Sequence, residues 1–101
     1  MAKDNIKTVK LSKPFSLDGQ EYKELQFDFT KLTARDFFRA EREARGHGEI
    51  TPNIKWGLTY QCVIAVFACL QPIKYEDIEN LPSFRDVDKI TALASDFLLE
   101  V

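Results

Sequence analysis

Reaction chemistry needs a nucleophile beside a base, paired carboxylates in a pocket, or a cluster of metal-binding side chains. The chain holds each residue type without the grouping. Ser12, Ser16, Ser83 and Ser95 stand in no nucleophile-elbow context. The single histidine, His47, lies between Gly46 and Gly48, where a helix end or a loop explains it. Cys62 and Cys69 are seven residues apart in an apolar run. On a helix that spacing is about 10 Å of rise, too long for a disulfide between them. Neither belongs to a C-x-x-C pair and the histidine is remote from both, so no metal site is expected. Glu76, Asp77, Glu79, Asp86 and Asp88 read as acids in the first turns of helices, where the helix dipole favours them. Gly46-His47-Gly48 has neither the length nor the lysine of a phosphate loop. These residues predict a protein that is not an enzyme and binds no cofactor.

The remaining chemistry is recognition. Arg35, Arg39, Arg42 and Arg45 recur along one predicted helix, which suggests a phosphate-binding stripe and a small DNA-binding regulator as one reading. Asp36, Glu41 and Glu43 are interleaved at spacings of three and four, so the segment reads better as a self-compensating face. Net charge is −2, which gives no overall basic field. The charge is uneven, however. Lys3, Lys7, Lys10 and Lys13 gather at the start, while Glu76, Asp77, Glu79, Asp86, Asp88, Asp96 and Glu100 gather near the end. Two solvated faces explain this, as would the steering of a partner or of a second copy. Five apolar residues are candidates for a partner patch. Trp56 and Tyr60 flank the start of an apolar helix, Phe38 follows Phe37 where one core cannot take both, and Leu98 and Leu99 close the chain.

The elements that would position these residues fit one domain over the whole of 1–101, with 1–5 frayed. Hydrophobic residues make up 45% and charged residues 30% of the chain, a balance that favours a folded core over disorder. Ile6 to Leu11 alternates as a strand, which Pro14 ends or places at an edge. Asp18-Gly19 signals a hairpin turn, and Tyr22 to Phe29 alternates as the returning strand with Leu25, Phe27 and Phe29 inward. Thr33, with Asp36 three residues on, caps a helix that stops at Gly46. A buried helix follows from Lys55 to Leu70, bounded by Pro52 and Pro72. One helical turn is expected within Tyr75–Leu81. A last helix then runs from Pro82 to Leu99, with Val87, Ile90, Ala94, Phe97 and Val101 as its core stripe. The fold class is α+β, a two-stranded antiparallel hairpin packed on three helices. The longest apolar run, Cys62–Leu70, falls far short of the roughly 20 residues that span a bilayer. Residues 1–13 are polar, with no apolar stretch of a leader behind them, so the cytoplasm is the expected location and no membrane is involved.

The order of these segments carries a resemblance. Val9 to Pro14 is a strand ending in proline, and Asp18-Gly19-Gln20-Glu21-Tyr22-Lys23-Glu24-Leu25 is a D-G hairpin. Phe27-Asp28-Phe29-Thr30-Lys31-Leu32-Thr33-Ala34-Arg35-Asp36 leads into a helix of Glu, Ala and Arg. The apolar Tyr60 to Leu70 follows, then Asp77-Ile78-Glu79-Asn80-Leu81-Pro82, and Phe97-Leu98-Leu99 near the end. In this order the chain resembles the tail assembly chaperones of Mu-like and P2-like contractile-tailed bacteriophages and related prophages. The resemblance implies a non-enzymatic protein that holds the tape measure protein soluble and helps the tail tube protein assemble around it. It also implies absence from the finished virion. It transfers no binding residues.

Overall fold

The computed structural model describes residues 6–99 and is α+β, a two-stranded antiparallel sheet with four helices. Three of the helices are long, as expected, and the fourth is the short turn. The frayed start expected for 1–5 and the inward Val101 lie outside the described residues.

The hairpin joins β1 (Lys7–Leu17) to β2 (Gln20–Phe27). Its two-residue turn has Asp18 at φ 52° and Gly19 at φ 81°. Two successive left-handed residues match the twist of the flanking strands, and aspartate and glycine tolerate that conformation best. The register sets Val9 opposite Leu25, and both are buried. β1 outlasts its predicted end because the chain bulges between Lys10 and Phe15 and then resumes pairing with Tyr22. Pro14 falls inside the bulge, where a missing N–H costs the ladder nothing. β2 in turn ends two residues early. The Asp28 carboxylate accepts from the Thr30 N–H at 3.1 Å and the Thr30 hydroxyl at 2.6 Å, which winds Phe29–Lys31 into a 3-10 turn. Phe29 still reaches the core, though not as a strand residue.

α1 (Ala34–Gly46) opens on the expected cap. The Asp36 N–H donates to the Thr33 hydroxyl, and the Thr33 N–H donates to the Asp36 carboxylate at 2.9 Å. That backbone bond is the main reason the Asp36 carboxyl is held below the usual aspartate range. Ala40 and Ala44 are fully buried and allow α1 to lie close on α2 (Leu58–Ala68). α2 is buried nearly all round, as the apolar run predicts. It begins three residues later than Lys55. Asn53 caps a 3-10 turn at Ile54–Trp56, and Gly57 is then extended, at φ −80° and ψ 130°. It also ends earlier, because Cys69 turns extended and pairs with Phe27 as an isolated antiparallel bridge. The Leu70 N–H donates to the Gln26 carbonyl at 2.8 Å, and the Gln26 N–H donates to the Gln71 side chain at 2.8 Å. The second edge of β2 is thereby closed against the end of α2. Cys62 therefore lies on a helix and Cys69 does not; both are buried free thiols.

α3 (Tyr75–Glu79) is the expected single turn, and His47 stacks on Tyr75 at 4.2 Å, joining it to the end of α1. α4 (Phe84–Leu98) starts after Ser83, so Pro82 precedes the helix instead of sitting in its first turn. Ser83 is extended there, at φ −124° and ψ 126°, and carries the N-cap. Ile90 and Ala94 are buried and Val87 and Phe97 half-buried, which places the predicted stripe inward.

α4 is fastened to the hairpin by Asp86. The bulge frees the Ser12 N–H from the ladder, and both carboxylate oxygens of Asp86 accept from it, at 2.8 and 3.0 Å. The Lys89 ammonium lies 3.8 Å from Asp86 and donates to the Lys10 carbonyl at 3.2 Å.

A second carboxylate begins α2 from a distance. Glu49 accepts from the Thr59 and Tyr60 N–H groups at 2.9 and 3.2 Å, and from the Thr51 hydroxyl at 2.6 Å. It thus satisfies free N–H groups in the first turn of a helix that has no side-chain cap of its own. A methyl group at Gly57 would collide with this carboxylate, which explains the glycine. Desolvation pushes the Glu49 carboxyl up, but the bonds from Thr51, Tyr60 and Thr59 outweigh it and hold the group below the ordinary glutamate range. A carboxyl depressed in the folded state stabilises the fold above its unfolded pKa, and the gain is lost as pH falls through the folded value. Thermal melts between about pH 6 and pH 3 are expected to show a steeper loss for the wild type than for Glu49→Gln. Equal slopes would show that Glu49 carries none of the acid sensitivity.

Candidate functional site

An aromatic row crosses the molecule from the hairpin to its far side. The Phe27 and Phe29 rings lie 6.1 Å apart, Phe29 and Phe97 5.4 Å, and Phe97 and Phe37 6.2 Å, each pair near parallel. Such offset stacks add modestly to the gain from burial and fix ring orientation. The row ends at an open cleft of about 380 Å³ lined by Phe37, Ile54, Lys55, Tyr60, Phe97 and Leu98. Three helices and the 3-10 turn Ile54–Trp56 contribute to it, so its walls belong to the core while its mouth is open. Lys55, exposed, is its one charged lining residue. A cavity of this size, apolar and with one cation at the rim, suits aliphatic or aromatic side chains and not a polar substrate.

The five residues expected at a partner patch fall into three settings. Trp56 and Phe38 are exposed, at 62% and 63%. Tyr60 and Leu98 are buried at 3% and 7%, which corrects any picture of them as free surface: each packs into the core and shows only one side to the cleft. Leu99 is half-buried just past the end of α4. Tyr60 and Leu98 meet in the cleft, and Trp56 directly follows its lining residues Ile54 and Lys55. Phe38 lies about 100° round the helix from Phe37 and faces elsewhere. Phe37, Ile54, Lys55 and Phe97 were not singled out from sequence. Phe97 was legible as a core position, but nothing local showed that its ring would also form a wall.

The other chemistry-bearing groups are occupied or scattered. Burial chiefly, together with the charges of Glu79 and Glu49, pushes the Cys62 thiol up to about 11, so its reactive thiolate is scarce. Burial likewise raises Cys69. Among the described residues no group of three or more His, Cys, Asp or Glu is placed to hold a metal ion. Two of the four α1 arginines are engaged within the chain. Arg39 pairs with Asp36 at 3.1 Å and lies over the Phe67 ring, and Arg45 bonds the Glu49 and Thr51 carbonyls. A continuous phosphate-binding stripe is thereby broken.

A family model described as "Phage tail assembly chaperone proteins, E, or 41 or 14" matches residues 8–99. The chain belongs to this family. The match takes in nearly all of the hairpin, all four helices and the cleft. No curated protein and no solved structure matches the chain. Partners in this family are phage tail proteins. No helix among the described residues is long and apolar enough to cross a membrane.

Proposed function

We propose that the protein binds the tail tape measure protein, keeps it soluble, and assists assembly of the tail tube protein around it. It would act in the cytoplasm of the bacterial host and be left out of the finished virion. The observation that supports this reading, beside family membership, is the apolar cleft, whose lining residues Ile54 and Lys55 are followed in the chain by the exposed Trp56. A long helical protein with an apolar stripe aggregates unless the stripe is covered. A cleft that admits one or two apolar side chains at a time gives a contact weak enough to be released when the tube arrives. Trp56, the largest exposed apolar residue, is the anchor, and Lys55 favours an acidic neighbour on the partner helix.

Co-expression with the tape measure protein of the same tail-gene cluster tests this. The tape measure protein is expected in the soluble fraction and in a complex only when the chaperone is present. Trp56→Ala together with Ile54→Ala is expected to weaken the complex by roughly tenfold or more, as loss of an aromatic anchor does elsewhere. Equal insolubility with and without the chaperone, and no complex on a sizing column, would remove the proposal.

A further inference from the structure

We propose that residues 48–57 form a strap that opens and closes over the cleft, with the Glu49 carboxylate as its latch. Opening of the strap then sets how fast a captured side chain leaves, a step that rests on the cleft being the working surface. The strap joins α1 to α2 and contributes Ile54 and Lys55 to the cleft wall. Little apolar contact holds it down. Ile50 and Trp56 are 87% and 62% exposed, and Ile54 alone of its large apolar residues packs, half-buried, on the core.

Polar bonds hold the strap instead. The Glu49 carboxylate accepts from the Thr59 and Tyr60 N–H groups of α2. Arg45 of α1 donates to the Glu49 and Thr51 carbonyls, at 3.1 and 2.9 Å. The buried Gln61 side chain donates through Nε2 to the Lys55 carbonyl at 3.0 Å. Water replaces each of these partners once the strap lifts, so opening exposes little apolar area and costs far less than unfolding. Gly48, at φ 104°, gives the strap a left-handed hinge residue at its α1 end. The single 3-10 turn at Ile54–Trp56 does not persist without support. A lifted strap therefore removes the Ile54 wall and frees the Trp56 and Gly57 N–H groups together with those of Thr59 and Tyr60. At the α2 end, a Cβ on residue 57 would occupy the place of the Glu49 carboxylate, so the latch closes only over a glycine.

Native-state hydrogen exchange of the free protein in dilute urea tests the strap. In the wild type the Trp56, Gly57, Thr59 and Tyr60 amides are expected to share one opening. It should be at least about 100-fold more frequent than the opening that exposes Ile90 and Ala94, and nearly independent of urea. Glu49→Ala is expected to speed exchange at the four amides about tenfold or more, and Glu49→Gln, which keeps a carbonyl acceptor, by less. Gly57→Ala drives the carboxylate out and should act much as Glu49→Ala does, and the double variant should be no faster than either. Strap amides that exchange only together with Ile90 and Ala94 would overturn the proposal, as would additive effects of the two substitutions. In the complex with the tape measure protein, Glu49→Ala is expected to raise the dissociation rate about tenfold. An unchanged rate would show that the strap does not govern release. Exchange needs no tail protein, so absence of any complex would remove the cleft reading and the release step with it, while exchange alone decides the strap.

Discussion

Asp86→Ala is expected to destabilise the fold by about 2–4 kcal/mol, although Asp86 touches no apolar core residue through a bond of its own. Its side chain is fully buried in the first turn of α4, and both of its oxygens are committed to the Ser12 N–H. Removing it leaves that N–H inside the α4–β1 contact with no acceptor, and the bulge cannot return it to the ladder because Pro14 and the register shift hold it out. The loss is a large share of the roughly 5–15 kcal/mol that holds a domain of this size together. In urea it should lower the unfolding midpoint by about 1–2 M with little change in slope. Asp86→Asn, which keeps one carbonyl acceptor, should cost about half as much. Lys89→Ala should cost under about 1 kcal/mol, because that ammonium is half exposed and its ion pair is long. If Asp86→Ala melts within experimental error of the wild type, the clamp between hairpin and helix is not a stabilising contact.

Asp86 also shows where the sequence stops being legible. Its position among first-turn acids was readable, since the helix dipole favours an acid there whatever else it does. Its partner was not, because Ser12 lies 74 residues away and contributes only a backbone N–H, which leaves no mark on residue type. The same division holds elsewhere. Asp18-Gly19 and the Thr33–Asp36 box are complete within four residues, and both formed as expected. Leu25 and Phe27 alternate within one strand and are both buried. The bridge from Phe27 to Cys69 joins distant segments through main-chain atoms, and the apolar run through Cys69 therefore read as more helix. Gly57 is a similar case. An isolated glycine ahead of an apolar run gives no reason to expect a break, and the reason is the Glu49 carboxylate folded back into its space. The cleft was half legible: Tyr60 and Leu98 stand out as apolar residues near helix ends, but what brings them together with Phe37 and Ile54 is the crossing of three helices and a 3-10 turn. Family membership was readable for a different reason. It depends on the order of several weak local motifs, and each of these sits where short-range physics decides the structure.

Phe27→Ala is expected to have the largest effect of any single truncation on the hairpin, about 3–5 kcal/mol. Phe27 is fully buried, ends β2, pairs with Cys69 through its backbone, and begins the aromatic row. Truncation removes the transfer gain of a phenyl ring and leaves a cavity between hairpin and α2 that a close-packed interior fills only partly. For a chain of this length the melting temperature should fall by roughly 15 °C or more. Phe27→Leu fills most of the volume and should cost less than half as much, the remainder reporting the lost stack on Phe29. Phe38→Ala, the same truncation on an exposed ring, should change stability by under about 0.5 kcal/mol. The comparison separates burial from residue type. It also bears on the cleft, because Phe29 stands between Phe27 and Phe97 and Phe97 forms a cleft wall. A cavity at Phe27 lets Phe29 relax toward it and loosens Phe97, so Phe27→Ala should weaken capture of a helical partner even at temperatures where the variant is fully folded. Unchanged capture there would show that the cleft is shaped by its own lining alone and that the aromatic row carries stability without carrying function.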